Sequence, residues 1–280
     1  MSSKDRTPLI LSINAGSSSV KITVYTLPSP DSKAYPSPSP LATAEISNIT
    51  APPAKLKYTV GNTTKQKGDE LSKDSVHDQA SAFSYILSHL SSDDDLPQLA
   101  HTDDIKYACH RIVHGGAYSH MEPLNPDTLH KLDALSDLAP LHNVIGLQIV
   151  RAAHRELPKA INYAYFDSAF HQTIPEHIYT YAIPQETAKK NGLRKYGFHG
   201  ISYAFITRSV AEHLGKEEKD TSIIALHLGS GASVCAIENG RSKDTSMGLT
   251  PLAGLPGGSR SGDVDPRYVE EVSRPLQTAR

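Results

Sequence analysis

Little in this sequence points toward secretion, membranes or nucleic acid. Its 280 residues include 2 cysteines, Cys109 and Cys235, each inside a strand-like apolar run. No disulfide framework is expected, and a reducing compartment fits. Neither charge prevails: 28 basic and 30 acidic residues give a formal net charge of −2, which argues against nucleic acid and acidic membrane surfaces as partners. Long hydrophobic runs are missing too, and none approaches the length of a membrane span. The apolar part of MSSKDRTPLILSINAG is too short for a signal peptide and is broken by Asn14 and Gly16. The 14 histidines are scattered rather than set at metal-ligand spacing. The motif GxxxxGK(S/T) is absent, as are a kinase HRD–DFG set and a GxSxG elbow; His110-Arg111 is followed by Ile112. With 38% hydrophobic residues, the expectation is a soluble, cytoplasmic globular chain of one large or two modest domains.

What is present is a repetition. LSINAGSSSVKITVY near the start and IALHLGSGASVCAI far downstream each give a strand, a glycine–serine turn and a second strand. In the first copy Leu9, Leu11 and Ile13 alternate with Ile10, Ser12 and Asn14, and beyond Gly16-Ser17-Ser18 the alternation resumes at Val20, Ile22 and Val24. Glycine and small serines leave backbone N–H groups open to an anion. Leu41 to Ile49 supplies a third strand in the first half. In the second half Ile223 to Leu228 and Ala232 to Ile237 are followed by Asn239-Gly240, a two-residue hairpin signal. Two copies of one unit, each aiming a turn at a shared cleft, suit a ligand with several phosphates; a coincidental pair of hairpins is the plainer alternative.

Between the copies the pattern alternates helix and strand. Pro28 to Pro40 is a proline–serine segment expected to be an exposed loop, and Thr50 to Asp74 shows little periodicity. Phe83, Ile86, Leu87 and Leu90 mark a helix over 75–90, and Ile105 to Val113 reads as a strand. Asn125-Pro126 caps a helix carrying Leu129, Leu132, Leu135 and Leu138. A further helix runs from Asn143 to about Leu157, then Ile161 to Phe166 forms a strand with Asp167 at its end. After Tyr196-Gly197-Phe198-His199-Gly200 comes a helix whose inner face is expected at Ile206, Val210 and Leu214, stopping at Gly215. This order implies an α/β architecture with ligand groups at strand ends.

Several polar residues sit in settings that suit anion chemistry. Arg111 lies in an apolar strand, and Arg260 lies among glycines in GLPGGSRSGDVDP. The planar guanidinium pairs with carboxylate or phosphate through two parallel bonds, although each arginine alone also fits a structural ion pair. Asp167 can hold Mg²⁺ directly, hold it through water, or orient a neighbouring arginine. His142 in LAPLHN and His199 in YGFHG stand at element boundaries, as either structural or catalytic residues.

INAGSSSVK, HRIVHGG, LAPLHN, AYFDSAFH, RKYGFHG, HLGSGAS and GSRSGDVDP occur in that order. Together they resemble the acetate kinase family, from about Leu9 to Pro266, within the superfamily of acetate kinases, sugar kinases, heat-shock chaperones and actin. The resemblance implies a two-unit actin-like ATPase (ribonuclease H-like) fold with a duplicated βββαβαβα core. Its domains would be 1–170, with 28–40 as an insertion loop, and an incomplete nucleotide-side domain at 171–280. It implies reversible in-line phosphoryl transfer from ATP to acetate, giving acetyl phosphate and ADP, with Mg²⁺ as cofactor and Mn²⁺ as a substitute. Residue by residue, Arg111 and Arg260 would hold acetate and the phosphoryl oxygens, His199 would donate to the transition state, and His142 would support it. Asp167 would orient an arginine or place the metal together with Asn14. Asn14, Gly16, Ser17, Ser19 and Lys21 of the first turn and His227, Gly229, Ser230 and Gly231 of the second would approach phosphate. Val113, Leu141, Phe198 and Pro251 would line a pocket for the acetate methyl group. Family members are typically homodimers through the C-terminal unit.

The sequence departs from the family pattern in three places. HLGSG has Ser230 where the family usually has asparagine, and LAPLHN is followed by Val144 where proline is frequent. Family members also continue past Arg280 with a glycine-rich adenosine-binding segment and a metal-binding glutamate, so the second unit is expected to be truncated and its activity impaired. A remnant that binds small anions or a partner, and a propionate kinase, are the competing readings.

Overall fold

Alternation decides the strands of the first half. In β1 (Leu9–Ala15) and β2 (Val20–Thr26) the apolar positions Leu9, Leu11, Ile13, Val20, Ile22 and Val24 are buried, and the strands pair antiparallel across the predicted turn. β3 (Ala42–Ser47) follows at the predicted third strand. The structure is a computed structural model describing residues 7–27, 39–135, 140–258, 260–265 and 267, without the side chains of 140–142. The side chains of Leu141 and His142, and residues 28–38 of the proline–serine segment, therefore lie outside the described residues. The chain divides into two compact units, residues 1–113 with 120–165 and residues 114–119 with 166–280.

In the first unit the segment without visible periodicity forms a hairpin, β4 (Ala54–Val60) and β5 (Thr63–Leu71). Ala54, Leu56 and Tyr58 are buried, and Gly61 turns the chain with φ +52°. β5 buries none of its residues, so hydrophobic alternation could not have announced it. Helix α1 (Gln79–Ser91) starts at a capping box: the Asp78 carboxylate accepts from the Ser81 amide, and the Ser81 hydroxyl oxygen accepts from the Asp78 amide. β6 (Ile105–Ile112) pairs parallel with β1.

The two-residue β7 (Glu122–Pro123) precedes α2 (Pro126–Ala134), α3 (Pro140–Glu156) and β8 (Ile161–Phe166). Asn125 caps α2 by accepting from the Thr128 amide, as its Asn-Pro signal predicted. The strands form one sheet in the order β5-β4-β3-β2-β1-β6-β8-β7. Its apolar face is covered by Phe83, Ile86, Leu87 and Leu90 of α1 and Ile149, Ala152 and Ala153 of α3.

The second unit passes through short helices α4 (Glu176–Tyr179) and α5 (Gln185–Asn191) to α6 (Gly200–His213). A three-stranded sheet follows in the order β11-β10-β9, from β9 (Ser222–Leu228), β10 (Ala232–Glu238) and β11 (Arg241–Thr245). Asn239 (φ +55°) and Gly240 (φ +70°) make the predicted β10–β11 turn, and Gly215 (φ +63°) ends α6.

The expected inner face of α6 is corrected. Tyr203, Thr207 and Ala211 are buried, while Leu214 is 54% exposed. Ile206 packs only partly buried beside the cluster of Tyr203, Ala225, Cys235 and Ile237. Small Thr207 and Ala211 let the helix lie close, and Leu214 falls past the last turn as its C-cap. Setting Gly229 on Gly16 matches Ile224 and Leu226 to Leu11 and Ile13. The first pair is 68% and 55% exposed, the second 0% and 1%, so the face that helices cover in the first unit is open to solvent in the second. No helix among the described residues is long and apolar enough to cross a membrane.

The α/β class is as expected. Phe83→Ala, removing a fully buried ring that bears on the sheet, is expected to cost about 3–5 kcal/mol in urea unfolding. Phe205→Ala, at a ring 61% exposed, should stay within about 0.5 kcal/mol.

Candidate active site

In the first unit the candidate residues gather at the ends of β1 and β6. The parallel pairing of Ile13 with His110 sets Asn14 beside Arg111, whose Nη1 donates to Asn14 Oδ1 at 3.1 Å. Lys21 is the cross-strand partner of Asn14 on β2, so three polar side chains form a row across β2, β1 and β6. The turn beside them is closed by the Gly16 amide donating to the Ser19 carbonyl at 2.7 Å. It is also pinned from outside: Gln79 Nε2 donates to the Ser17 carbonyl at 2.7 Å, and the Thr50 hydroxyl donates to Ser18 Oγ at 2.8 Å. A Cβ on Gly16 would lie 2.9 Å from Ser19 Oγ, which would have to rotate aside. Val113, at the end of β6, is 8% exposed.

The second unit holds the denser constellation. Asp167, 1% exposed, follows β8, and its carbonyl accepts from the Gly200 amide at 2.9 Å. A Cβ on Gly200 would stand 2.1 Å from that oxygen, so only glycine lets the start of α6 come so close. His199 immediately before it adopts the left-handed conformation, φ +60°. The preceding loop is tied to the sheet: Lys195 Nζ bonds Asp244 at 2.8 Å, and the Tyr196 and Gly197 amides both donate to the Gly248 carbonyl. His171 Nε2–H donates to the Phe198 carbonyl at 2.9 Å and its Nδ1 meets Ser242 Oγ at 2.8 Å.

His199 stacks on His227 with ring centres 4.0 Å apart, and His227 Nδ1 lies 2.9 Å from Ser202 Oγ. The glycine turn after β9 is closed by the Gly229 amide to the Gly231 carbonyl at 3.0 Å, and the Ser230 carbonyl accepts from the Gly258 amide at 3.0 Å. A Cβ on Gly231 would lie 2.6 Å from Arg260 Nη1 and 3.4 Å from His199 Nε2. Turn, guanidinium and imidazole therefore meet at one point. The loop bearing Arg260 is fastened where the Gly254 amide donates to the Asp263 carboxylate at 2.8 Å.

Phe198 and Pro251 are buried in this unit. His114 holds the segment before Pro251. Its Nδ1 accepts from the Gly116 amide at 3.1 Å, so its Nε2–H donates to the Leu249 carbonyl at 3.2 Å. Gln79, His114, His171, Ser202 and Lys195 were not singled out by sequence reasoning, because each acts through a backbone group or a partner distant in sequence.

The profile of the Acetokinase family matches residues 9–278. The chain belongs to the acetokinase family. It is 55% identical over 260 residues to a probable acetate kinase of Emericella nidulans, covering 93% of this chain and 60% of that protein. It is 57% identical over 261 residues to a probable acetate kinase of Chaetomium globosum, covering 93% of this chain and 56% of that one. A crystal structure of Porphyromonas gingivalis acetate kinase superposes with a TM-score of 0.78 at 35% identity, covering 96% of this chain and 65% of that structure. The chain thus spans about 60% of the length of such curated relatives. The acetokinase motifs fall on the features described: INAGSSSVK is β1–turn–β2, RKYGFHG leads into α6, and HLGSGAS is the β9–β10 turn.

Burial keeps three histidines neutral. His110, bonded to Asn162, together with His114 and His171, is pushed down from 6.5 to about 4, chiefly by desolvation and partly opposed by hydrogen bonds. Their folded values lie below the unfolded one, so the unfolded chain binds more protons between pH 6.5 and 4. Stability is expected to be full above that window and to fall as pH drops through it. Urea midpoints at pH 7 and pH 5 should show the loss, with a smaller pH slope in His171→Asn.

Proposed function

We propose that the protein is an acetate kinase, transferring a phosphoryl group reversibly between ATP and acetate in the cytoplasm, as a homodimer. The observation that carries this reading is the meeting of Arg260, His199 and the Gly231 turn, a cationic fork and a ring nitrogen set against a phosphate-type turn.

An acetate carboxylate is already a nucleophile, so no strong general base is needed. One carboxylate oxygen attacks the γ-phosphorus, the bond from that phosphorus to the β,γ-bridging oxygen breaks, and ADP leaves with the electron pair. The protein's task is alignment and neutralisation of charge on the moving phosphoryl group. Arg260 and Arg111 pair with its oxygens and with the acetate carboxylate, and His199 donates to the phosphoryl oxygens as charge develops. The residues of the first turn and the Gly229–Gly231 turn receive the nucleotide phosphates. Ser230 in place of asparagine shortens the side chain available there.

Mg²⁺ fits the residues present. By motif, the Asn14 amide of the first unit and the Asp167 carboxylate of the second are the oxygen donors assigned to it; among the described residues no group of three or more His, Cys, Asp or Glu stands together. Mg²⁺ keeps several waters and takes phosphate oxygens, so a sparse donor set suits an ion that arrives with the nucleotide and neutralises its phosphates. By motif, Val113 and Leu141 of the first unit and Phe198 and Pro251 of the second are each assigned to the acetate methyl group. One methylene is worth roughly 1–3 kcal/mol in such a pocket, so propionate is expected to be a slower substrate. A Francisella tularensis protein 35% identical to this chain carries the name propionate kinase.

A second reading, anion binding without turnover by these 280 residues alone, is favoured by the open β9 face at Ile224, Leu226 and Leu228. The deciding experiment traps acyl phosphate with hydroxylamine from acetate, propionate and Mg·ATP. Acetyl hydroxamate should form faster than the propionyl product, and Arg260→Ala or Arg111→Ala should lower kcat roughly a hundredfold or more. Folded protein that binds phosphate but forms no product would support the second reading instead.

A further inference from the structure

The hydroxyl protons behind His199 can be assigned one by one. Tyr203 on α6 and Ser233 on β10 are both 0% exposed. Ser233 Oγ lies 2.5 Å from the Tyr203 hydroxyl and 2.7 Å from His199 Nδ1. The Tyr203 hydroxyl has its own proton to place. Among the described residues, Ser233 Oγ is the acceptor within reach of that proton. A buried tyrosine hydroxyl that fails to donate is costly, so Tyr203 donates to Ser233. The serine proton is then free for its other neighbour, and Ser233 donates to His199 Nδ1. A ring nitrogen that accepts carries no proton. The tautomer of a histidine is set by the bond its other nitrogen makes, so the proton of neutral His199 sits on Nε2, the atom beside the Gly231 turn and Arg260.

The opposite order fails on the same count. Were Nδ1 protonated, Ser233 would either accept from both neighbours and leave its own buried proton with neither of them to receive it, or turn that proton toward Tyr203 and strand the tyrosine's. The backbone supports the arrangement: the left-handed His199 precedes a glycine held against Asp167, which fixes the point from which the ring extends.

We propose that Tyr203 and Ser233 are positioning residues whose directed hydrogen-bond chain, Tyr203 to Ser233 to His199 Nδ1, fixes His199 as the Nε2–H donor facing the phosphate turn. The role of that donor rests on the acetate kinase reading above, but the chain itself does not.

The test reads the tautomer directly. The full chain, labelled with ¹⁵N in its histidine rings, is examined by long-range ¹H–¹⁵N correlation at a pH where the rings are neutral, and His199 is assigned by its loss in His199→Asn. The wild type is expected to show the pure Nε2–H pattern. Tyr203→Phe keeps the ring but frees Ser233 to accept as well as donate, and both His199 nitrogen shifts should move toward the tautomer average. A wild-type Nδ1–H or mixed pattern overturns the proposal, as does an unchanged pattern in both Tyr203→Phe and Ser233→Ala; should either variant fail to fold, the wild-type pattern and the other variant decide. Kinetics separate the two readings. Tyr203→Phe should lower kcat roughly tenfold, short of the loss a wholly wrong tautomer brings, with little change in either KM. The expected spectra without any effect on kcat would remove His199 from the chemistry and leave the relay standing.

Discussion

The bond from the Gly200 amide to the Asp167 carbonyl, 2.9 Å long, fixes where the second unit's functional groups can be. It joins Asp167 to the start of α6 with no room for a side chain between them. His199 is forced into a left-handed turn by that approach, and Asp167 is buried at the same junction. From there α6 carries Ser202 and Tyr203 beneath the next sheet, where they meet His227 and Ser233. The spacing of these side chains along one helix and two strands follows from a single close backbone contact.

Around that contact the chain separates two kinds of polar residue. His110, His114 and His171 are buried, kept neutral, and bonded to an amide oxygen or backbone carbonyls that they hold in place. His114 and His171 brace loops, and His110 ties β6 to β8. His199, His227, Arg260 and the Gly231 turn converge on one another instead, as groups do when they are arranged for a ligand. In the first unit Asn14, Lys21 and Arg111 make a similar row on neighbouring strands.

Much of this was legible because alternation and turn chemistry report local structure directly. β1, β2 and β3, both glycine–serine turns and the Asn239-Gly240 turn announced themselves in this way. The β4–β5 hairpin did not, since β5 is polar up to Leu71 and buries none of its residues, although Ala54, Leu56 and Tyr58 before Gly61 carried the signal for β4. The inner face of α6 was misread because large apolar residues were favoured over Tyr203, Thr207 and Ala211, and the choice depends on what lies beneath the helix. Of the candidate residues, the grouping of Arg260 with Gly231 and His199 was suggested by motif alone, while Tyr203 and Ser233 carry no local signature. Their partners are 30 and 34 residues away in sequence, a distance no periodicity reaches.

The left-handed backbone at His199 also governs how substitutions there should be interpreted. A non-glycine residue at φ +60° is held against its intrinsic preference, which asparagine and glycine share least. Replacing His199 by alanine would combine removal of the imidazole with a residue poorly suited to the turn, and any lost turnover would mix chemistry with folding. Asparagine tolerates the turn while lacking the ring. Comparing the two separates what the imidazole does from what its peptide does.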